Sequence, residues 1–324
     1  MDWRESLRLE SDAHLAALVA TGGDFRLDEE QPDYRGGTHY VTLGRYRDTR
    51  AVFKFFVAER RWRNEAACLT HYQGLGLVPR LFHLEPERLI VMESLGGTDV
   101  LDPTALARLD PAEAEELSRE IGAALGRLAS VPLPAKTDGV SPLDDFSDWG
   151  WNRGVSEVVR SCLRIGRLLA REPSPATETL ARSLARLEER LPAVEREACI
   201  LFHEDVSNLR VAGTRFLAFY DLELCRVGTV SMQLGAALGL CPGTILDWGS
   251  LVAGFETNTG IHLTCEDHRS VLAMNHLSAW LRITQSLHGH QETVDDEFLG
   301  MARERAESYV ARMIAAETEI RPFL

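Results

Sequence analysis

The stretch ILFHEDVSNLRVAGTRFLAFYDLELCRVGTVSMQLG, residues 200–235, alternates short apolar runs with polar clusters. The runs Ile200–Leu201 and Phe216–Leu217, the latter continued by Phe219–Tyr220, indicate short buried strands. Gly213–Thr214 between them supplies the turn that a hairpin needs. We therefore expect a hairpin whose strands end in polar residues, and this hairpin organises the interpretation of the remaining chain.

Two polar clusters follow the apolar runs, HEDVSN at residues 203–208 and DLE at residues 221–223. Phosphoryl transfer from a nucleotide needs oxygen ligands for magnesium and a carboxylate that accepts the proton of the acceptor. Asn208 and Asp221 are candidate magnesium ligands, and Asp205 is a candidate proton acceptor. Polar residues at strand ends are also ordinary turn formers, so this interpretation depends on the rest of the chain.

The composition is that of an ordinary globular protein, with 324 residues, 45% hydrophobic residues and 26% charged residues. The net charge of −14 argues against binding to nucleic acid, whose phosphates it would repel. The charged N-terminus carries no secretory signal, and no apolar run is long enough to span a membrane. We therefore expect a cytoplasmic protein that contacts neither nucleic acid nor membrane.

The first ninety residues predict a helix followed by a small sheet. A helical spacing of apolar residues ends before Gly22, and a β-prone segment then follows the pair Gly36–Gly37. Glycines at this point allow the backbone to approach a triphosphate closely, although most such pairs are simple turns. Both glycines are candidate nucleotide-binding residues.

Lys54 lies inside the apolar run VFKFF of a predicted strand. A buried ammonium group needs an anionic partner, and Glu65 stands on the apolar side of the following predicted helix. A lysine and a glutamate paired in this order position the phosphates of ATP in kinases. Either residue alone is more simply explained as a surface residue, but their order favours the pair.

The predicted strand Leu89–Met92 runs into Glu93–Leu95 and two glycines. The carbonyl group of Glu93 and the amide group of Leu95 are placed to bind an adenine edge. Helical patterns then dominate, with a polar, turn-rich and aromatic segment at residues 136–154.

This order of features resembles the aminoglycoside phosphotransferase and choline kinase group. The resemblance implies an α+β, two-lobed, protein-kinase-like fold. Residues 1–95 would form a small ATP-binding lobe with an antiparallel sheet and one helix. Residues 96–324 would form a larger, mainly helical lobe that holds the catalytic and acceptor-binding residues.

The resemblance also assigns roles to single residues, with ATP and Mg²⁺ as cofactors. Lys54, held by Glu65, would contact the ATP phosphates, and Met92 would line the adenine pocket. Asn208 and Asp221 would hold magnesium, with Glu223 assisting the metal or the acceptor.

The polar stretch at residues 203–208, here called the loop, and its surroundings depart from the family pattern in three ways. Only two residues separate Asp205 from Asn208, whereas the family has four, so His203 is a second candidate for the catalytic base. Glu204 replaces a glycine of the family. Gln233 stands where the family commonly has an aspartate that braces the loop.

The leading functional hypothesis is an ATP- and magnesium-dependent kinase. Its acceptor would be a hydroxyl of a small polar or cationic molecule, such as an aminoglycoside or other antibiotic, an amino sugar or an amino alcohol. A cationic acceptor is suggested by acidic residues in the predicted acceptor region. Acidic residues on helices usually just form a face that contacts water. The residues are Asp144, Asp145, Asp148, Glu256, Glu266 and Asp267. The altered loop supports an alternative, a nucleotide-binding pseudokinase that serves as a regulatory or binding module. A protein or peptide acceptor is a third and weaker hypothesis.

Overall fold

The computed structural model describes residues 3–20, 24–28, 39–86, 88–133, 175–203, 205–285 and 296–324. An antiparallel sheet follows one N-terminal helix, and a mainly helical part follows the sheet. This is the α+β arrangement that the sequence predicts. The proposed boundary between residues 95 and 96 stays a prediction.

The first sheet has five antiparallel strands in the order β1-β2-β3-β5-β4. The strands are β1 (Phe25–Leu27), β2 (His39–Tyr46), β3 (Thr49–Phe56), β4 (Leu81–Glu85) and β5 (Leu89–Glu93). Helix α1 (Trp3–Ala20) precedes the sheet, as the spacing of its apolar residues predicts, and α2 (Glu59–His71) follows β3.

Strand β3 is covered on both faces, which explains why its apolar residues do not alternate with polar ones. Phe53 and Phe55 pack with Leu15 of α1 in one cluster. Phe56 belongs to the main core, which also contains Ile90 and residues of α2. Side chains on both faces of this strand are therefore buried.

The central stretch forms two separate strand pairs, so the predicted hairpin is wrong in its pairing. Strand β7 (Cys199–Phe202) pairs with β10 (Arg226–Thr229), whereas β9 (Arg215–Phe219) pairs with β8 (Leu209–Ala212). The turn is where the sequence places it, with Gly213 at a φ of 59°. The prediction missed β8, a strand of only four residues that includes an arginine and lies next to polar turn residues.

The short strand β6 (Thr98–Asp99) adds to the β8–β9 pair, so the chain leaving the first sheet is tied to the second. The remaining helices are α3 (Pro103–Leu106), α4 (Pro111–Ser130), α5 (Pro175–Val194), α6 (Val230–Leu238), α7 (Trp248–Thr259), α8 (Cys265–Gln285) and α9 (Asp296–Ile320). The sequence of residues 155–197 predicts two amphipathic helices separated at residues 172–175; the second corresponds to α5, and the first lies outside the described residues.

Helices α4 and α7 approach each other closely at two glycines. A Cβ atom on Gly122 would lie 1.9 Å from the Leu251 carbonyl oxygen, and one on Gly254 would lie 2.1 Å from that of Arg119. Only glycine allows this separation. The α4 N-terminus is fixed by a reciprocal pair of hydrogen bonds between Asp110 and Glu113.

Candidate functional site

Lys54 is the centre of a buried cluster of charges. Its side chain is 4% exposed, and Nζ donates hydrogen bonds to Glu65 Oε2 at 2.5 Å and to Asp221 Oδ1. The structure therefore brings together three residues that the sequence singles out. Asp221 lies 167 residues beyond Lys54, so the cluster joins the first sheet to the central stretch.

Lys54 and Glu65 are both buried, and each favours the charged form of the other. Burial favours the neutral amine, but the carboxylates of Glu65 and Asp221 outweigh it and raise the pKa of Lys54. Burial raises the pKa of Glu65 to about 7 even though Lys54 opposes the shift. The lysine stays charged at neutral pH, and the pairing is what keeps Glu65 ionisable.

Asp221 follows β9 and precedes a short 3₁₀ turn, Leu222–Leu224. Its φ of 54° is left-handed, a conformation that costs a residue with a Cβ atom about 1–2 kcal/mol. The side chain is 30% exposed, so one side of the carboxylate remains open to a ligand while the other meets Lys54.

Glu223 is the second carboxylate of this turn and is buried. Arg61 of α2 binds its Oε1, and Oε2 lies 3.3 Å from His39 Nδ1 and 3.9 Å from Lys54 Nζ. Burial raises the pKa of Glu223, but His39, Lys54 and Arg61 together lower it to about 2. The carboxylate is therefore ionised throughout the physiological pH range.

Sequence reasoning missed the partners of Glu223 on the first sheet and its helix. Arg61 stands four residues before Glu65, so both project from the same side of α2. Asn64 of this helix also donates from Nδ2 to the Glu223 carbonyl oxygen at 3.1 Å. The helical spacing from Glu65 was the signal available for Arg61, whereas no pattern in the sequence indicates His39.

The donor atoms around Asp221 suit a divalent cation. Ligand atoms of His39, Asp221 and Glu223 lie within 4.8 Å of one another. Two carboxylates supply the oxygen ligands that magnesium prefers. The backbone of Asn208 is tied to the residue before Asp221, since its carbonyl oxygen accepts from Tyr220 N at 2.9 Å.

His203 is fully buried and makes contacts within the loop itself. Its backbone N–H donates to Gln233 Oε1 at 3.1 Å, and its ring Nε2 lies 3.1 Å from the Tyr220 carbonyl oxygen. Burial lowers the pKa of the ring, but Cys225, Asp205 and the Tyr220 carbonyl raise it above its usual value. Gln233 thus braces the loop with an amide oxygen where the family commonly has a carboxylate.

Asp205 lies two residues after His203 in the loop and is partly exposed. Its carboxylate accepts from Ser207 Oγ, and its carbonyl oxygen accepts from Asn208 N at 3.0 Å. This turn brings the shortened loop back to Asn208 within three residues. Asp205 also lines a cavity of about 590 Å³.

The cavity lies between the loop and three helices of the second part of the chain. Its lining residues are Leu101, Asp205, Val206, Ser207, Gly235, Ala236, Gly239, Leu240, Pro242, Thr244, Asn275, Ser278, Ala279, Tyr309, Arg312, Met313 and Ala316. Most of these residues are apolar or uncharged, and Asp205 is the carboxylate among them.

The residues predicted to bind adenine lie at the end of β5. Met92 is buried, at 6% exposure, and Glu93 N donates to the Arg80 carbonyl oxygen at 2.8 Å. Ser94 N donates to Arg50 O at 3.0 Å, so the chain stays beside β3 before it reaches Leu95. Gly36 and Gly37 lie outside the described residues.

The family model described as "Phosphotransferase enzyme family" matches residues 36–270. No curated protein sequence matches the chain closely. No helix among the described residues is both long and apolar enough to cross a membrane.

Solved structures of three proteins share the fold across nearly their whole length. The GDP complex of aminoglycoside 2'-phosphotransferase-IIIa is 12% identical, with a TM-score of 0.67 and coverage of 94% of this chain and 98% of that one. A choline/ethanolamine kinase family protein from Mesorhizobium loti is 16% identical, with a TM-score of 0.58 and coverage of 96% and 99%. The streptomycin–ATP ternary complex of APH(2")-IIa is 15% identical, with a TM-score of 0.56 and coverage of 94% and 97%. The protein-kinase-like fold is thereby shown.

Proposed function

Because the chain belongs to the phosphotransferase enzyme family, we propose that it transfers the γ-phosphate of ATP to a hydroxyl group of a small molecule in a magnesium-dependent reaction. The observation that carries the proposal is the Lys54 cluster, which places a buried cation and three carboxylates, those of Glu65, Asp221 and Glu223, at one point. Solved relatives of this fold bind ADP, GDP or ATP, which supports a nucleotide as the phosphate donor.

The residues of the cluster divide the binding of the nucleotide between them. Lys54, oriented by Glu65, would bind the phosphates, and this requires Nζ to exchange its contact with Asp221 for a phosphate oxygen. Asp221 and Glu223, with Asn208, would hold the magnesium ion, whose charge offsets that of the phosphate groups when bound. Glu223 enters this role already fixed by Arg61.

Asp205 would act as the proton acceptor. The acceptor molecule occupies the cavity beside it, and its hydroxyl oxygen forms a bond to the γ-phosphorus while the bond from phosphorus to the bridging oxygen of ADP breaks. The hydroxyl proton passes to the Asp205 carboxylate and then to solvent. The hydrogen bond from Ser207 Oγ fixes the orientation of this carboxylate.

His203 is assigned a positioning role, because its ring is buried against the Tyr220 carbonyl oxygen and has no access to the cavity lining. The positions of the two residues support Asp205 as the base. Asp205 faces the space where an acceptor fits, whereas His203 holds the backbone that carries Asp221.

The test measures transfer of labelled phosphate from ATP in the presence and absence of magnesium. Asp205→Asn should lower turnover by about 10²- to 10⁴-fold with little change in ATP affinity, since only the proton acceptor is lost. Asp221→Asn should abolish the magnesium-dependent rate, since the amide lacks the charge that binds a hard cation.

His203→Gln is the matched control within the same loop and should lower stability more than the rate per folded molecule. Full turnover in Asp205→Asn would contradict the assignment of the base. ATP binding without any phosphate release would instead indicate a nucleotide-binding module.

A further inference from the structure

The cavity beside Asp205 has one cationic side chain among its described lining residues, that of Arg312 on α9. The inference drawn from this residue concerns the acceptor and rests on the proposed function. Asp205 is the only carboxylate in the same described lining, and the proposed reaction already uses it. Among the described lining residues, the charged group that remains available to select an acceptor is therefore the guanidinium group of Arg312.

Arg312 is held by an aromatic neighbour one helical turn away. Its Cζ atom lies 5.5 Å from the centroid of the Tyr309 ring, and Tyr309 also lines the cavity. Stacking on a ring orients a guanidinium group without neutralising it. Within the described part of the chain no carboxylate pairs with Arg312, so its charge is available to a ligand.

The acidic residues expected to bind a cationic acceptor bind groups of the protein itself, wherever the structure describes them. Glu256 Oε1 accepts from Leu263 N at 2.7 Å, and Asp267 Oδ2 accepts from Thr264 N at 2.8 Å. Glu266 binds the guanidinium groups of Arg190 and Arg269. None of the three lines the cavity, and Asp144, Asp145 and Asp148 lie outside the described residues.

Apolar side chains cover much of the remaining wall. Leu101, Leu240, Pro242 and Met313 belong to the lining, and the uncharged polar groups there are partly occupied. Asn275 Nδ2, for example, donates to the Gly235 carbonyl oxygen at 2.8 Å. Such a wall favours a ligand with an apolar surface over one that carries a polar group on every side.

We propose that the acceptor is a hydroxylated organic acid with an apolar portion, whose carboxylate binds Arg312 while its hydroxyl group reaches Asp205. A polycationic acceptor would bring ammonium groups toward the guanidinium group and would be repelled. The selecting residue is Arg312, supported by Tyr309.

Three probes of similar size and different charge test this inference: octyl glucoside, octyl glucuronide and octyl glucosaminide. Binding of each, below its micelle concentration, is measured by calorimetry in the presence of ATP analogue and magnesium, and phosphate transfer is measured separately. The acidic probe should bind about ten- to a hundred-fold more tightly than the amino probe, the range expected for one charge-assisted contact.

Arg312 variants link this order to the residue. Arg312→Gln should bring the three affinities together, and Arg312→Glu should reverse the order. Arg215→Glu is the control, because Arg215 is also exposed but lies on β9 and does not line the cavity. It should leave the order unchanged.

The inference would be overturned if the protein preferred the amino probe or bound all three probes equally. It would also be overturned if the Arg312 variants left the order of affinities unchanged, or if protein that binds ATP bound none of the probes. Selective binding of the acidic probe without transfer would support the inference and contradict the proposed phosphotransferase activity. Transfer to the amino probe alone would do the reverse.

Discussion

Lys54 is buried and shares its charge between the buried carboxylate of Glu65 and the partly exposed carboxylate of Asp221. Removal of one member of such a pair leaves the other buried without compensation, and the loss is commonly about 3–5 kcal/mol. We expect Lys54→Met to lower the free energy of unfolding by about 3 kcal/mol, because Glu65 must then take up a proton. Urea denaturation at pH 7 measures this.

The double variant Lys54→Met, Glu65→Gln separates the stability of the pair from its role with nucleotide. An amide is neutral, so the double variant should be more stable than Lys54→Met. Both variants should lose phosphate transfer. Equal stability of the single and double variants would show that the pair does not compensate Glu65.

His276 predicts a pH dependence of stability that is unrelated to the site. Burial, and next the Arg186 guanidinium group, lower the pKa of its ring to about 4, although Glu317 opposes the shift. Since the unfolded chain binds the proton more tightly, this contribution is complete above pH 6.5 and is lost as the pH falls toward 4.

The loss should amount to at most about 3 kcal/mol between these pH values. Denaturation of the wild type and of His276→Gln at several pH values checks it, because the difference between the two curves removes the opposite contribution of Glu65, whose pKa burial raises to about 7. His262 is 87% exposed, so His262→Gln is the control that should leave the curve as it is. Curves of the wild type and His276→Gln that run parallel from pH 6.5 to 4 would refute the prediction.

At the scale of single residues, the sequence identified the groups whose burial needs an explanation. A lysine inside an apolar strand needs a carboxylate, and this reasoning led to Glu65. His39 and Arg61 stand in ordinary polar surroundings, and their proximity to Glu223 exists only after the chain has folded. Pairs formed by distant segments leave no local pattern.

At the scale of elements, the contact between α4 and α7 depends on backbone atoms with no side chain between them. A methyl group on Gly254 would meet the Arg119 carbonyl oxygen, so the helices would have to move apart. We expect Gly254→Ala to destabilise the protein by about 2–3 kcal/mol, the upper part of the range of about 1–3 kcal/mol for an overpacked core. Thermal unfolding measures the change.

Gly96→Ala is the control for this substitution, because no atom lies within 4 Å of a Cβ atom placed there. It should leave the melting temperature within a degree or so of the wild type, since surface changes are usually worth less than about 0.5 kcal/mol. Equal melting temperatures for Gly254→Ala and the wild type would mean that the helices separate without cost.

Helices were easier to predict from the sequence than strand partners, for a physical reason. The hydrogen bonds of a helix are local, and the cap formed by Asp110 and Glu113 lies within four residues. The partners of β7 and β9 depend on which segments the core brings together. Four-residue strands such as β8 are too short for alternation to distinguish them from loops.

At the scale of the whole molecule, a nucleotide that contacts both Lys54 and Asp221 would bridge the first sheet and the central stretch. ATP with magnesium at a hundred times the dissociation constant should stabilise the folded protein by about 2.7 kcal/mol. Calorimetry should show a rise in melting temperature that is larger with magnesium than without it. The magnesium-dependent part should disappear in Asp221→Asn, and its persistence there would place the metal elsewhere.

The charged cluster also has a consequence for the order in which the protein becomes stable on the ribosome. Arg61 is made 162 residues before its partner Glu223, a delay of about 8–30 s at ordinary rates of synthesis. During that interval Arg61 of α2 lacks Glu223, and Lys54 of the first sheet has Glu65 but not Asp221 as a partner. A nascent chain arrested before residue 221 should therefore be cut by protease within this sheet, and a chain arrested some forty residues after Glu223, once the ribosomal tunnel is cleared, should resist.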